Sequence, residues 1–596
     1  MLPLAVTLLL PLGATGAPAS SIAGRPASSI EWQGWSPGVF EQAKASHRFV
    51  LLDLEAEWCH WCHVMEAETY SDTKVRALVR RRYLPIKVDQ DSAPDLAARY
   101  GNWGWPATIV FAPDGTEIVK RRGFIPATGM AALLQAIIDD PTPGPSVVAE
   151  PESQPGGKQL DPAARKAIQD RLDASYDVEH GGWGEGHRLV QAEAMEREIH
   201  RALAATAAGP EAAEATKRAK QTLDGLRRLI DPVWGGLYQY SDKPDWSSPH
   251  FERLMTIQAD GVRTFALAYA AFHDPRDLQA AKDIARFMTD FLSGSDGSFC
   301  VSMDADRSAQ VDGHVYAELS DEARRARGIP RVDKHVYPRE NGLAIEALAE
   351  LASVSGETKY LAQALKALPL LEALQASDGS YAHAGQPSLE DTLAMGRAFL
   401  ALSEATGDPA FLAQAARIGG ALDRFRDPQG LGYVAQSQGP KIGVFQKPVR
   451  DVDDNVAAAR FANLLFREGN GTEQQARAQT AMRLISSPQE LDRPELLFGT
   501  LLADDELRHA PLHVVVVGTG KTPSGAALLE TARAAATRYK WIQVWDPAQP
   551  AGGGEVPAVP PQPLDVAYAC GPNFCSPPAK TSQALQATLA RQLASW

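Results

Sequence analysis

Cysteine is scarce, five in 596 residues. This excludes a disulfide-stapled framework, because a chain this long buries enough apolar surface without bridges, and each cysteine must be read on its own. Cations are outnumbered: 59 Lys and Arg face 73 Asp and Glu, for a net charge of −14. No basic run occurs, which argues against nucleic acid as a partner, since phosphate binding needs clustered Lys and Arg. Beyond the first 19 residues no apolar run approaches the length of a bilayer span. What is there is a 44% hydrophobic composition, enough for a large core. At about 150 residues per domain the length predicts two to four domains.

Residues 1–19 (MLPLAVTLLLPLGATGAPA) read as a secretory signal peptide, a short apolar core followed by small residues, although no Lys or Arg precedes the core. The chain is therefore expected to be exported, to the periplasm or the extracellular space, with no membrane span after cleavage. Residues 20–30 read as a linker. Over 31–140, strand-length apolar runs at 49–54, 83–89 and 107–111 alternate with helical spacing at 63–82 and 127–139, an α/β domain. The Pro- and Gly-rich stretch 141–160 is a second linker. From 161 to 507 about twelve helical segments recur. Between alternate helices sits a loop of an acid, then glycine, then an aromatic: Asp177…Gly182-Trp183, Asp231…Gly236-Leu237-Tyr238, Asp296-Gly297-Ser298-Phe299, Asp378-Gly379-Ser380-Tyr381 and Asp427…Gly432-Tyr433. Such a repeat predicts helical hairpins closed into an α/α toroid, with an insertion near 304–340. Residues 511–596 read as a small C-terminal α/β module.

Trp58-Cys59-His60-Trp61-Cys62-His63 follows a buried strand and opens a helix. A thiolate at a helix N-terminus is stabilised by the helix dipole and free N–H groups. Cys59 is therefore expected to be an exposed nucleophile, Cys62 the resolving thiol, and His60 and His63 further stabilisers of the thiolate. Three other readings of these residues are c-type haem attachment through Cys-x-x-Cys-His, zinc binding by the cysteines with His63, and a structural disulfide. Neither a metal nor a cofactor is expected. Gly104-Trp105-Pro106 precedes the next strand, where thioredoxin folds carry a cis proline facing the dithiol. On that resemblance Pro106 joins the redox site.

The string Cys59-His60-Trp61-Cys62-His63-Val64-Met65-Glu66, then Ile86-Lys87-Val88-Asp89 and Gly104-Trp105-Pro106, resembles the spermatogenesis-associated protein 20 family. The resemblance continues through Asp177…Trp183-Gly184, Pro249-His250-Phe251-Glu252, Asp304-Ala305-Asp306, Asn341-Gly342-Leu343 and Cys570…Cys575. It implies a multidomain α/β and all-α protein: an N-terminal thioredoxin-like fold and a six-hairpin-glycosidase-like toroid, before the small C-terminal module. The chain departs from the family pattern at Thr256-Ile257-Gln258 and at Arg339-Glu340.

Glycoside hydrolysis needs two carboxyls flanking one bond, and epimerisation a general base. The toroid-cleft candidates are His250, Glu252, Asp304 and Asp306, with Trp183 and Tyr238 as aromatic platforms; Glu340, Asp453, Asp454 and His335 are further acids and bases at helix ends. The competing reading is that the acids cap helices and the aromatics fill hairpin cores. Cys570 and Cys575 are candidates for a structural disulfide, and Cys300 for a buried apolar side chain. The leading expectation is a thiol–disulfide oxidoreductase acting on protein thiols or disulfides, with a toroid that binds clients or glycans. The alternatives are a carbohydrate-active toroid scaffolded by the thioredoxin-like domain, and a non-enzymatic binding protein.

Overall fold

In the computed structural model of the chain, the described residues are 30–36, 38–148, 153–204, 209–308, 311–436, 441–493, 495–548, 559–561, 563–571 and 574–594. The expected signal peptide lies outside them.

The first domain is built on a four-stranded sheet. Its strands are β1 (Phe49–Glu55), β2 (Tyr83–Asp89), β3 (Ala107–Phe111) and β4 (Glu117–Arg122), in the order β2-β1-β3-β4. β1 pairs parallel to β2 and antiparallel to β3, and β3 antiparallel to β4. A continuous apolar run suits β1 because both faces of the sheet are covered. Helices α1 (Val39–Ser46) and α4 (Pro94–Tyr100) pack on one face, and α3 (Thr73–Arg82) and α5 (Ala127–Asp139) on the other. The helical stretch expected over 63–82 is two helices, α2 (His60–Glu68) and α3. Asp72 breaks it by accepting from the backbone N–H groups of Lys74 and Val75 as an N-cap. β4 escapes sequence reading because Arg121 and Arg122 leave it little apolar pattern.

The second domain is a ring of helical hairpins. Its inner wall is α7 (Ala192–Leu203), α9 (Met255–Phe272), α13 (Pro338–Ser355), α15 (Leu389–Thr406), α17 (Val452–Arg467) and α20 (Phe498–Arg508). Outside stand α6 (Pro162–Ala174), α8 (Pro210–Leu226), α10 (Pro275–Phe291), α14 (Thr358–Glu372), α16 (Pro409–Ala421) and α18 (Thr472–Ile485). α20 packs against both α7 and α6, so the first and last helices close the ring. α11 (Gly313–Ala317) and α12 (Asp321–Arg327) occupy the insertion, and the short α19 (Pro488–Leu491) precedes α20.

The loop repeat has a mechanical basis. Gly181, Gly182, Gly235 and Gly236 take positive φ, which turns the chain sharply from outer to inner helix. Four of the inner helices, α9, α13, α15 and α17, then pin the loop with one buried side chain each. Gln258 accepts from the Leu237 N–H at 2.7 Å, Asn341 from Phe299 at 2.7 Å, Thr392 from Tyr381 at 3.0 Å and Asn455 from Tyr433 at 2.8 Å. The aromatic after the glycine drops into the hairpin core.

The C-terminal module is a three-stranded sheet of Lys540–Trp545, Leu512–Val517 and Val566–Cys570 with α21 (Pro523–Arg533) and α22 (Ser582–Leu593). It lies at the C-terminal ends of the inner helices, against Leu203, Ala270 and Ala271, and Arg538 reaches past them to Glu196, Glu346 and Glu350. The first domain sits at the opposite end of the ring. Phe445, on a loop between α16 and α17, inserts into its core against Trp35, Phe40 and Phe111. Arg99 donates to the carbonyls of Val444 and Lys447 at 3.3 and 2.7 Å. Within the described residues no helix is long and apolar enough to cross a membrane.

Candidate functional site

Cys59 and Cys62 form a disulfide with Cα atoms 5.3 Å apart. Cys59 is the N-cap of α2, and its Sγ accepts from the Cys62 N–H at 3.1 Å. The pair lies where β1 delivers the chain to the helix N-terminus, as the strand-then-helix pattern requires. The Trp105–Pro106 bond is cis, and Trp105 packs beside the sulfurs. Beneath α2, Lys87 Nζ lies 3.3 Å from Asp53, 2.9 Å from Glu55 and 2.7 Å from Glu66. Burial raises the pKa of Asp53 and lifts that of Glu55 to about 7.

The expectation of an exposed nucleophile is corrected here. Cys59 and Cys62 are each 3% exposed, because the toroid covers them: Leu254, just before α9, packs on the disulfide with Trp58 and Trp105. His60 is half-buried, and its Nδ1 lies 2.6 Å from Asp306 Oδ2. That hydrogen bond raises the His60 pKa, whereas burial lowers that of His63. His63 Nδ1 is 3.8 Å from Asp304 Oδ2. Glu57 receives Arg331 at 2.6 Å. Trp58 Nε1 donates to Asp91 at 2.7 Å, and the carbonyl of Asp91 is 2.6 Å from Nε2 of the buried toroid residue His383.

The toroid candidates thus divide. Glu252, Asp304 and Asp306 face the dithiol helix, and none of them lines the central cavity. Burial raises Glu252 and lifts Asp304 to about 7. His250 stacks on Tyr240 and lies 2.8 Å from Asp242. Trp183 and Tyr238 are buried in hairpin cores, Trp183 against Tyr176 and Phe498, Tyr238 against Phe251 with Arg253 over its ring. As sugar platforms both are corrected: the aromatic that follows a glycine turn faces inward between helices. His335 is largely exposed and bound to Asp333 at 2.6 Å. Cys570 and Cys575 form a second disulfide across a strand bridge, and Cys300 is a buried free thiol.

The ring encloses a cavity of about 510 Å³ whose wall carries Glu193, Asp260, Asp453, Arg263, Arg397 and Arg460. A second cavity of about 340 Å³ continues it toward the first domain and is lined by Gln90, Asp91 and Trp105 opposite Arg339, Asp453 and Asp454. Glu346 is held by Arg263, Arg397 and Arg538 at 3.2, 2.9 and 3.0 Å. Burial, with Glu193 nearby, lifts Asp453 to about 7. Sequence reading missed Phe445, His383 and Arg331, whose partners lie hundreds of residues away, and no local pattern announces them.

Fold and site define a class: a thioredoxin-like domain with a Cys-x-x-Cys disulfide, seated on the mouth of an α/α toroid. Residues 21–139 match the family described as Thioredox_DsbH, protein of unknown function, DUF255. The chain resembles spermatogenesis-associated protein 20 of Rattus norvegicus, with 25% identity over 46% of this chain and 39% of that protein. It is also similar to thiol:disulfide interchange protein DsbD 1 of Pseudomonas aeruginosa, with 33% identity over 19% of this chain and 21% of that one. The chain spans less than half the length of the first curated relatives it matches, 46% and 39%. Among solved structures it is similar to cellobiose 2-epimerase of Bacillus thermoamylovorans B4167, at 11% identity, 58% of this chain, 99% of that chain and a TM-score of 0.42.

Proposed function

We propose that this protein is an exported thiol–disulfide oxidoreductase acting on protein clients. The observation that carries this reading is the closure of Cys59 and Cys62 into a disulfide at the N-terminus of α2, where a released thiolate is stabilised. The similarity to a thiol:disulfide interchange protein over this domain supports it. A client thiolate attacks Cys59 Sγ, the Cys59–Cys62 bond breaks and Cys62 departs as a thiolate. A second client thiolate then attacks the client sulfur of the mixed disulfide and releases Cys59, leaving the client oxidised by two electrons. The reverse sequence reduces a client disulfide. Because Leu254 of the toroid covers the sulfurs, exchange requires the first domain to lift from the toroid rim, and the toroid is the surface on which a client or glycan docks. Mature protein from about residue 20 is equilibrated in glutathione buffers, its thiols are trapped, and disulfide exchange with a model client is followed by mass spectrometry. Reversible exchange that disappears in Cys59→Ser supports the reading, and a pair that stays locked when the domains are separated refutes it.

A second reading, a carbohydrate-active toroid, is favoured by one observation. Asp453 lies in the central cavity with its pKa lifted to about 7, as a general acid requires. Turnover of an oligosaccharide that vanishes in Asp453→Asn and survives in Cys59→Ser would select it.

A further inference from the structure

The seam between α2 and the toroid holds a chemical mismatch that the exchange reaction does not use. His63 Nε2 lies 3.2 Å from the Glu57 carbonyl oxygen. A carbonyl only accepts, so Nε2 carries the proton and the Nδ1 lone pair is left facing outward. That lone pair points at Asp304 Oδ2, 3.8 Å away. Ring nitrogen and carboxyl oxygen face each other at a distance too long for any hydrogen bond. His63, Asp304 and Asp306 each offer one ligand atom, all within 4.8 Å of one another.

We propose that His63 Nδ1, Asp304 and Asp306 form a divalent-cation site at this seam, suited to a borderline ion such as zinc. Nitrogen and oxygen ligands of one zinc ion each lie about 2.1 Å from it, and so about 3.4 Å from one another. Side-chain shifts of roughly 1 Å would close the observed set. A second, independent feature points the same way. Glu252 is 4% exposed, its Oε2 has no hydrogen-bond partner, and its charge acts on both Asp304 and Asp306. His250 Nδ1 is 3.8 Å from Glu252 Oε2. No Lys or Arg among the described residues forms an ion pair with these three acids. The ligands are also oriented from behind, as metal ligands characteristically are. The Asp306 N–H donates to Asp304 Oδ1 at 2.9 Å, the Gly313 N–H to Asp306 Oδ1 at 2.9 Å, and His60 holds Asp306 Oδ2. An ion here ties α2, one residue beyond Cys62, to the toroid loop of Asp304 and Asp306. Metal occupancy therefore holds the disulfide in its covered position.

The test uses the full mature chain with both disulfides intact, so that the buried Cys300 is the one thiol left. Zinc is titrated in competition with a chromophoric chelator. One equivalent is expected in the wild type, weakened at least about 100-fold in His63→Gln and in Asp304→Asn, whose metal-free melting matches the wild type. Failure of the wild type to take zinc from the chelator overturns the proposal. So does binding that survives His63→Gln, including binding lost instead in Asp333→Asn, which would place the ion among Asp89, Asp91 and Asp333. Should the variants not fold, X-ray absorption on the zinc-loaded wild type decides. One imidazole with oxygen donors supports the site, and a sulfur ligand or an all-oxygen shell overturns it.

Discussion

His383 offers a direct probe of how the two large domains hold together. Its Nδ1 faces both carboxylate oxygens of Asp391 at 3.1 and 3.0 Å, and its Nε2 faces the Asp91 carbonyl at 2.6 Å. Both ring nitrogens meet acceptors, so the ring must carry both protons. Burial pushes its pKa down, but the hydrogen bond and charge of Asp391 outweigh this and lift it from 6.5 to about 9. The folded value lies above the unfolded one, so this stabilisation is fully present below pH 6.5 and is lost as pH rises through about 9. At 1.36 kcal/mol per unit the shift corresponds to roughly 3 kcal/mol. In His383→Gln an amide can still donate to Asp91, but it has no charge for Asp391. The difference in unfolding free energy between wild type and His383→Gln should therefore be roughly 3 kcal/mol at pH 6 and shrink toward zero by pH 10. The His383 charge also lowers the pKa of Asp91, Glu340 and Glu390, so their titration is part of the same difference. Urea unfolding at several pH values measures it. A difference that stays constant from pH 6 to pH 10 would show that the ring is neutral in the folded state and refute the reasoning.

Phe445→Ala removes a side chain that is 8% exposed and packed between Trp35, Phe40 and Phe111. At about 3 kcal/mol for a buried Phe→Ala change, the undocked population and the rate at which glutathione reduces Cys59–Cys62 should rise by up to about 100-fold. A rate within twofold of wild type in a folded variant would show that reduction does not pass through undocking. Asn455→Ala leaves the buried Tyr433 amide and carbonyl without their partner, now held at 2.8 and 3.0 Å. It should cost about 1–3 kcal/mol of stability by denaturant unfolding, and a neutral result would remove the pinning role assigned to the inner-helix side chains.

Much of the architecture was legible because it is local. The run at 49–54 and the Cys-x-x-Cys at its end place a strand and a helix N-terminus without further help. The acid–glycine–aromatic spacing reports the hairpin period because the same backbone turn is needed each time. The site was legible only as halves. The residues of Pro249–Glu252 and Asp304–Asp306 could be singled out, but nothing local says that they meet His60 and His63 and not the cavity, because that contact joins residues 246 apart. Trp183 and Tyr238 were misassigned because the pattern that seats an aromatic in a hairpin core also presents one to a sugar. The burial of Cys59 is likewise a property of Leu254, which belongs to another domain.

The pairing of α6 with α20 has a consequence in time. Arg165 and Asp504, 339 residues apart, meet across that junction, so the ring cannot close until nearly all of the toroid has been made. The strands and helices of the dithiol domain are all made by residue 139, so it starts to fold first and receives Phe445 into its core later. Throughout the interval its sulfurs stand open to whatever oxidant or reductant surrounds the growing chain. Once the ring closes and Leu254 comes to rest on them, the sulfurs react only when the two domains part.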